Sequence, residues 1–227
     1  MSDHIYTKLV QPQSIQIEAV TPEHYEDVAE LMAHGFGHKF QRSSSLSISD
    51  LAMAFEQLLI HEPRQANSLR VVTLENNVVT GTLGLQWKAG AGVENVKRTS
   101  FEWWKACSHI GYGKMVCILA GIHLLKHEPS AGECYIEDLV VHPVHQGKGV
   151  AKQLLDWAQQ YMLQRTSLSY LSLHVARHNE HAIRLYERVH FHTQNRASSL
   201  LTGLLLGEHH WYYMTRKGDD YIETQQA

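Results

Sequence analysis

One stretch of the chain, residues 135 to 163, constrains the fold more than any other. It begins with the β-rich run YIEDLVV and passes through a turn that contains Gly147 and Gly149. After the turn, the segment KQLLDWAQQYML places apolar side chains at helical spacing. The sequence therefore predicts a strand that leads directly into a helix through a glycine-rich turn.

A turn of this kind favours anion binding. Several backbone N–H groups lie unpaired at the positive end of the helix dipole, and glycine lets a ligand approach them closely. We expect the amides from Gln146 to Ala151 to bind phosphate groups. The turn is not a P-loop, because Lys148 is followed by Gly149 instead of Ser or Thr, and it lacks a Rossmann fingerprint because Lys152 stands where the third glycine belongs.

The turn resembles the pyrophosphate loop of the GNAT acetyltransferase superfamily, whose pattern Q/R-x-x-G-x-G/A is met by Gln146, Gly149 and Ala151. A second block, VARHNEHAIRLYERVHF at 175–191, resembles that superfamily's downstream pattern, with His190 in place of the usual Gly. The matching residues of this block are Val175, Asn179, Ala182, Ile183, Leu185, Tyr186 and Phe191. The chain thus resembles a small, bacterial-type GNAT protein, most closely over residues 130–195.

The resemblance implies an α/β fold whose mixed, mostly antiparallel central sheet is flanked by helices and splayed in the middle to bind acyl-CoA. It implies acetyl-CoA as co-substrate, no metal, and a primary amine of a small molecule or peptide as acceptor. The strand end would splay at a bulge, so that the Leu139 N–H faces the acetyl carbonyl and Val141 pairs with pantetheine. The residues expected to contact acetyl-CoA are Leu139, Val140, Val141, Gln146, Gly147, Lys148, Gly149, Val150, Ala151 and Asn179.

Acyl transfer from a thioester to an amine also requires a base and an acid. Glu137 and Asp138 are candidate bases, and Glu137 is favoured because it lies two residues before Leu139, on the same strand face. Tyr186 is the candidate acid, since a phenol can protonate a thiolate, and it lies two turns beyond Asn179 on one helix. Alternatively, Glu137 is a strand carboxylate with a basic partner, Tyr186 is an interior aromatic, and Asn179 is a helix cap.

Other chemistry is less compatible with the sequence. Direct transfer in a ternary complex is preferred to a covalent route through Cys134, because the spacing reveals no His–Asp pair to activate that thiol. Among 17 histidines, His142 and His145 flank Pro143 without a nearby cysteine, so no metal site is expected. The alternative function is a non-catalytic acyl-CoA-binding regulatory domain.

Composition sets broader bounds. We expect a single N-acetyltransferase domain over residues 1–227, with 44% apolar residues supporting a globular core. The net charge of −3 makes nucleic acid an unexpected partner. The first residues lack a secretory signal, so a cytoplasmic location is expected. A homodimer is consistent with the commonest symmetry of oligomers.

The remaining elements follow from periodicity and turn residues. Residues 14–20 and 210–215 predict strands, Thr21-Pro22 predicts a helix start, residues 47–59 predict an amphipathic helix, and residues 70–87 predict a β-hairpin. Residues 88–130 form a predicted insertion of two helices, interrupted by Gly111 and Gly113, with no run long enough to span a bilayer. Trp103 and Trp104 would pack on the domain, line the acceptor pocket or contact a membrane surface.

Overall fold

A seven-stranded sheet forms the centre of the protein. The computed structural model describes residues 15–41, 46–61, 67–88 and 110–218. The strands are β1 (Gln16–Ala19), β2 (Ser68–Glu75), β3 (Val78–Trp87), β4 (Glu133–Val141), β5 (Tyr170–Ala176), β6 (His192–Ser198) and β7 (His210–Lys217), in the order β1-β2-β3-β4-β5-β7-β6. Among the strands of the described ranges, only the β4–β5 pair is parallel. The predicted mixed, mostly antiparallel sheet is confirmed.

Helices cover both faces of this sheet. They are α1 (Tyr25–Gln41), α2 (Ile48–His61), α3 (Tyr112–Leu125), α4 (Val150–Leu163), α5 (Glu180–Arg188) and α6 (Leu200–Leu206). One apolar core joins α1, α2 and α3 to one face and includes Leu51, Phe55 and Ile118. The other core joins α4 and α5 to the opposite face and includes Leu154 and Phe191. No helix in the described ranges is long and apolar enough to cross a membrane.

The predicted turn, helix start and C-terminal strand are found at their expected positions. Asn76 and Asn77 connect β2 to β3 with φ angles of 56° and 62°, which Asn tolerates better than most residues. Thr21 precedes a short 3-10 turn, Pro22–His24, that continues into α1. The predicted C-terminal strand is β7, which lies between β5 and β6 inside the sheet. The short helix α6 was not predicted.

The predicted insertion differs from expectation at one glycine. Gly111, with φ of 90°, precedes α3, but Gly113 lies within the helix and does not interrupt it. Met115 and Ile118 of α3 are buried in the core shared with α1 and α2, which holds the helix despite the low helix propensity of Gly113. The first predicted helix of the insertion, with Trp103 and Trp104, lies outside the described residues.

The sheet divides between β4 and β5. These strands pair only from Glu133↔Tyr170 to Ile136↔Leu173, although both continue beyond that point. On the other edge of β4, Ile136 pairs with Leu85 and Asp138 with Gly84, so Glu137 is an extra residue in a β-bulge. The sheet is therefore splayed in its middle, as predicted.

Candidate functional site

The splayed strand ends open into a cleft of about 550 Å³. The predicted residues that line this cleft are Glu137, Leu139, Val140, Val141, Gln146, Asn179 and Tyr186. They come from β4, from the turn after it and from α5 and its cap, and are brought together only by the parallel pairing of β4 with β5. The cleft is the candidate site.

The backbone of β4 presents alternate amides to this cleft. The His142 N–H donates to the Thr80 carbonyl of β3 at 2.9 Å. Because successive N–H groups of a strand point to opposite edges, the amides of Leu139 and Val141 point away from β3, into the gap. The Val140 amide faces β3 instead, and the side chain of this residue is buried at the border of the cleft.

The turn after β4 leaves a row of amides open. Gly147 and Gly149 have φ angles of 75° and 86°, in the left-handed region that favours glycine. Among the described residues, none accepts a hydrogen bond from the amides of residues 147 to 152, which lie at the N-terminus of α4. Lys148 is exposed, Ala151 is half-buried and the Val150 side chain is buried. These six N–H groups can receive an anion.

The Gln146 amide was expected to bind phosphate, but in the structure it forms a hydrogen bond within the turn. Its N–H donates to the Pro143 carbonyl at 3.3 Å, so it is not one of the open amides. Its side-chain Nε2 donates to the Val141 carbonyl at 3.0 Å. Gln146 therefore ties the turn to the end of β4, and the open row is displaced one residue towards α4.

The two adjacent carboxylates have distinct surroundings. Asp138 forms a bidentate ion pair with Arg70, with both N–O distances at 2.6 Å, and its side chain is only 8% exposed. Glu137, in the bulge, is exposed and lines the cleft. Both residues border the cleft, and Glu137 is the more exposed of the two candidate bases.

Asn179 and Tyr186 lie at opposite ends of α5. The Asn179 Oδ1 accepts from the Ala182 N–H at 3.2 Å and caps the helix. The Tyr186 ring is buried, with its centroid 5.8 Å from that of Phe191. Burial, assisted by the nearby Asp138 carboxylate, raises the pKa of Tyr186 to about 12. The phenol consequently keeps its proton at neutral pH.

This geometry agrees with the comparison to known families. The model of the acetyltransferase (GNAT) family matches residues 47–191. The chain belongs to this family. No curated protein matches the sequence.

Solved structures of GNAT proteins share the fold. A putative acetyltransferase, yncA of Salmonella typhimurium, solved with acetyl-CoA, is 15% identical over 91% of this chain and 95% of its own, with a TM-score of 0.52. A mutant of spermidine N-acetyltransferase SpeG from Vibrio cholerae is 17% identical over 93% and 98%, with a TM-score of 0.57. NAA60 of Arabidopsis thaliana, solved with a bisubstrate analogue, is 17% identical over 90% and 98%, with a TM-score of 0.56.

Sequence reasoning missed a polar cluster beside Glu137 in this GNAT chain. The Tyr135 hydroxyl and His174 Nδ1 are 3.1 Å apart, and both residues line the cleft. Burial, followed by the neighbouring His127, lowers the pKa of His174 to about 4. The available signal was strand alternation, because Tyr135 lies two residues before Glu137. Its partner on β5 could be identified only from the register.

The covalent and metal alternatives find no support in the site. Cys134 is fully buried, and burial raises the pKa of its thiol to about 12, which suppresses the nucleophilic thiolate. His145 Nδ1 lies 3.0 Å from a Glu75 carboxylate oxygen, and its ring is in edge contact with that of His142, with centroids 5.9 Å apart. Within the described ranges, no group of three His, Cys, Asp or Glu residues could hold a metal ion.

Proposed function

We propose that this GNAT chain is an acetyl-CoA-dependent N-acetyltransferase that moves the acetyl group to a primary amine by direct attack in a ternary complex. The observation that carries this proposal is the row of open amides at residues 147–152, beside a cleft that also holds Glu137 and Tyr186. A candidate anion site thus follows directly after Gln146, which borders the cleft that holds the candidate base and the candidate acid. The acetyl-CoA in the Salmonella structure supports the choice of co-substrate.

Acetyl-CoA would lie across the gap between β4 and β5. The amides of residues 147–152 bind the pyrophosphate, and the α4 dipole adds about 1 kcal/mol. The Val141 amide pairs with pantetheine, where the missing β5 partner leaves room for it. The Leu139 amide then stabilises the oxyanion that develops on the acetyl carbonyl.

Glu137 and Tyr186 are the two side chains that transfer protons. Glu137 attracts the cationic amine and accepts a proton from its nitrogen during attack. Tyr186 donates its proton to the departing thiolate. Although burial raises the pKa of the phenol to about 12, the same low-dielectric surroundings also disfavour the thiolate, so the proton affinities of both groups rise together.

The proposal is tested by free-thiol release from acetyl-CoA with polyamines, amino acids, aminoglycosides and peptides. The test variant is Gly149→Glu, which adds a carboxylate to the open amides. Its matched control is Gly111→Glu, since that glycine also has a positive φ, opens onto solvent and precedes a helix. We expect release with one amine class, lost in Gly149→Glu and retained in Gly111→Glu.

Three results would contradict the proposed N-acetyltransferase function or the assigned anion site. If calorimetry detects acetyl-CoA binding but no amine in the panel releases thiol, the chain is a non-catalytic acyl-CoA-binding domain. If acetyl-CoA does not bind at all, the open amides do not form the expected site. Equal loss in both glycine variants would attribute the effect to strain instead of ligand binding.

A further inference from the structure

A buried carboxylate lies beneath the cleft and has no part in the proposed reaction. Glu133, at the start of β4, is 1% exposed. Four groups donate hydrogen bonds to it: His127 Nε2 at 2.9 Å, the Tyr213 hydroxyl at 2.9 Å, the Ser130 N–H at 2.7 Å and the Ser172 hydroxyl. Burial alone would raise the pKa of Glu133, but these donors outweigh it and lower the pKa to about 2. Glu133 is therefore an anion at neutral pH.

The Glu133 carboxylate determines which tautomer the neutral His127 ring adopts. A carboxylate only accepts hydrogen bonds, so His127 Nε2 must carry the proton that points to Glu133. In the neutral ring, Nδ1 is then the nitrogen that can accept a proton, and no described residue hydrogen-bonds to it. The ring is one-quarter exposed and lines the same cleft as Glu137. An imidazole held by a carboxylate in this way is the common arrangement of a general base.

We propose that His127, oriented by Glu133, is a second proton acceptor of this site and takes the proton from the ammonium form of the acceptor amine. This inference rests on the proposed N-acetyltransferase function. His127 would be a catalytic residue that touches the substrate, and Glu133 a positioning residue. The inference deepens the proposed function, because it means that the site accepts its amine in the protonated state.

The protons balance in this scheme. The ammonium nitrogen gives one proton to His127 Nδ1, and the resulting amine attacks the thioester carbonyl. As the C–S bond breaks, the second nitrogen proton goes to Glu137 and Tyr186 protonates the thiolate. Tyr186 regains a proton from Glu137 through water, and His127 releases its proton to solvent. One ammonium and one acetyl-CoA thus give one amide, one CoA thiol and one proton.

The groups around His127 favour it over the other imidazole of the cluster. It faces Glu133 and Tyr135 from β4, His174 from β5 and Tyr213 from β7, and its ring centroid is 5.2 Å from that of His174. Other titratable cleft residues are His34, Lys126, Glu137, Asp138 and Tyr186. His174 has a pKa lowered to about 4, so it is a weak base at neutral pH. His127 is the imidazole that has an anionic partner.

The test compares His127→Gln with wild type from pH 6 to pH 10, using spermidine and a peptide with a free N-terminus as acceptors. Gln can still donate to Glu133 but cannot take a proton. We expect kcat/KM at pH 7 to fall about 100-fold and the loss to shrink as pH approaches the amine pKa, where the amine is already deprotonated. His123→Gln is the matched control, since His123 is an exposed histidine on α3, and it should match wild type.

The outcomes separate the inference from the proposed function. A wild-type chain that acetylates neither these two acceptors nor any other amine of the panel overturns both the proposed function and the role of His127. An active wild type with an unchanged His127→Gln profile, or with a loss that is equal at every pH, overturns the role of His127 alone. As a measurement that needs no variant, nitrogen NMR of the wild-type protein at a pH where the His127 ring is neutral should show its proton on Nε2. The opposite tautomer would also overturn the inference.

Discussion

At the scale of single residues, two neighbouring carboxylates of β4 border the same cleft but have different surroundings. The bulge keeps Glu137 out of the ladder with β3, and its side chain is exposed. Asp138 remains in the ladder and forms an ion pair with Arg70. Asp138 therefore links β4 to β2, whereas Glu137 is the more exposed of the two carboxylates.

Tyr186 can be tested by a single substitution, because its hydroxyl is the proposed proton donor whereas its ring packs on Phe191. In Tyr186→Phe the ring packing on Phe191 is retained, so we expect kcat to fall by about 100-fold while acetyl-CoA affinity and thermal stability stay close to wild type. Steady-state kinetics and calorimetry measure these quantities. Tyr161→Phe is the control, because the Tyr161 ring stacks on Trp157, with centroids 5.2 Å apart, and Tyr161 is not among the residues that line the cleft. An unchanged kcat in Tyr186→Phe would remove Tyr186 from the mechanism.

At the scale of elements, a glycine on β3 allows a side chain of β2 to contact a side chain of β4. Gly84 pairs with Arg70 on one side and with Asp138 on the other. A Cβ at Gly84 would lie 2.9 Å from Arg70 Nη2 and 3.2 Å from Asp138 Oδ2. The ion pair therefore crosses the strand where no side chain intervenes, and it fixes β4 next to its bulge.

Gly84→Ala should therefore destabilise the protein, by about 1–3 kcal/mol through overpacking against the ion pair. Gly113→Ala is the matched control, because Gly113 is helical, has no neighbour within 4 Å of the added Cβ, and should gain about 0.5–1 kcal/mol. Urea denaturation of both variants measures the free energies of unfolding. Equal effects of the two substitutions would contradict a specific role for the gap at Gly84.

At the scale of the whole molecule, the cleft gathers buried titratable groups whose pKa values are shifted in the folded state. His174 has a pKa of about 4 in place of 6.5, and Glu133 has a pKa of about 2 in place of 4.5. In both cases the unfolded chain binds a proton at a higher pH than the folded chain does. Protonation therefore favours unfolding.

The protein should lose stability steadily on acidification. His174 contributes the loss between about pH 6.5 and 4, and Glu133 contributes it between about pH 4.5 and 2. The urea midpoint measured from pH 7 to pH 4 should fall throughout. In His174→Gln the fall between pH 6.5 and 5 should be smaller, since that titration is absent. A midpoint independent of pH down to pH 5 would contradict the assignment for His174.

Some of the site could be predicted because its signals are local. The glycines at 147 and 149 have positive φ angles, and the helix that follows them is periodic, so the strand–turn–helix connection is encoded in a few adjacent residues. The row of amides was nonetheless displaced by one residue, because the Gln146 N–H closes a short turn onto Pro143. Local patterns identify a turn more readily than its individual hydrogen bonds.

By itself, the sequence determined three features: the connection from β4 through the glycine turn to α4, the β2–β3 hairpin and the GNAT family. Each depends on residues that are close along the chain. Only the tertiary structure decided which side chains surround the cleft. The pairing of Glu133 with His127, of Tyr135 with His174 and of Arg70 with Asp138 depends on register between strands and on a loop packed beside them. Those contacts join residues from 6 to 68 positions apart, and periodicity along one strand carries no information about the register of the next.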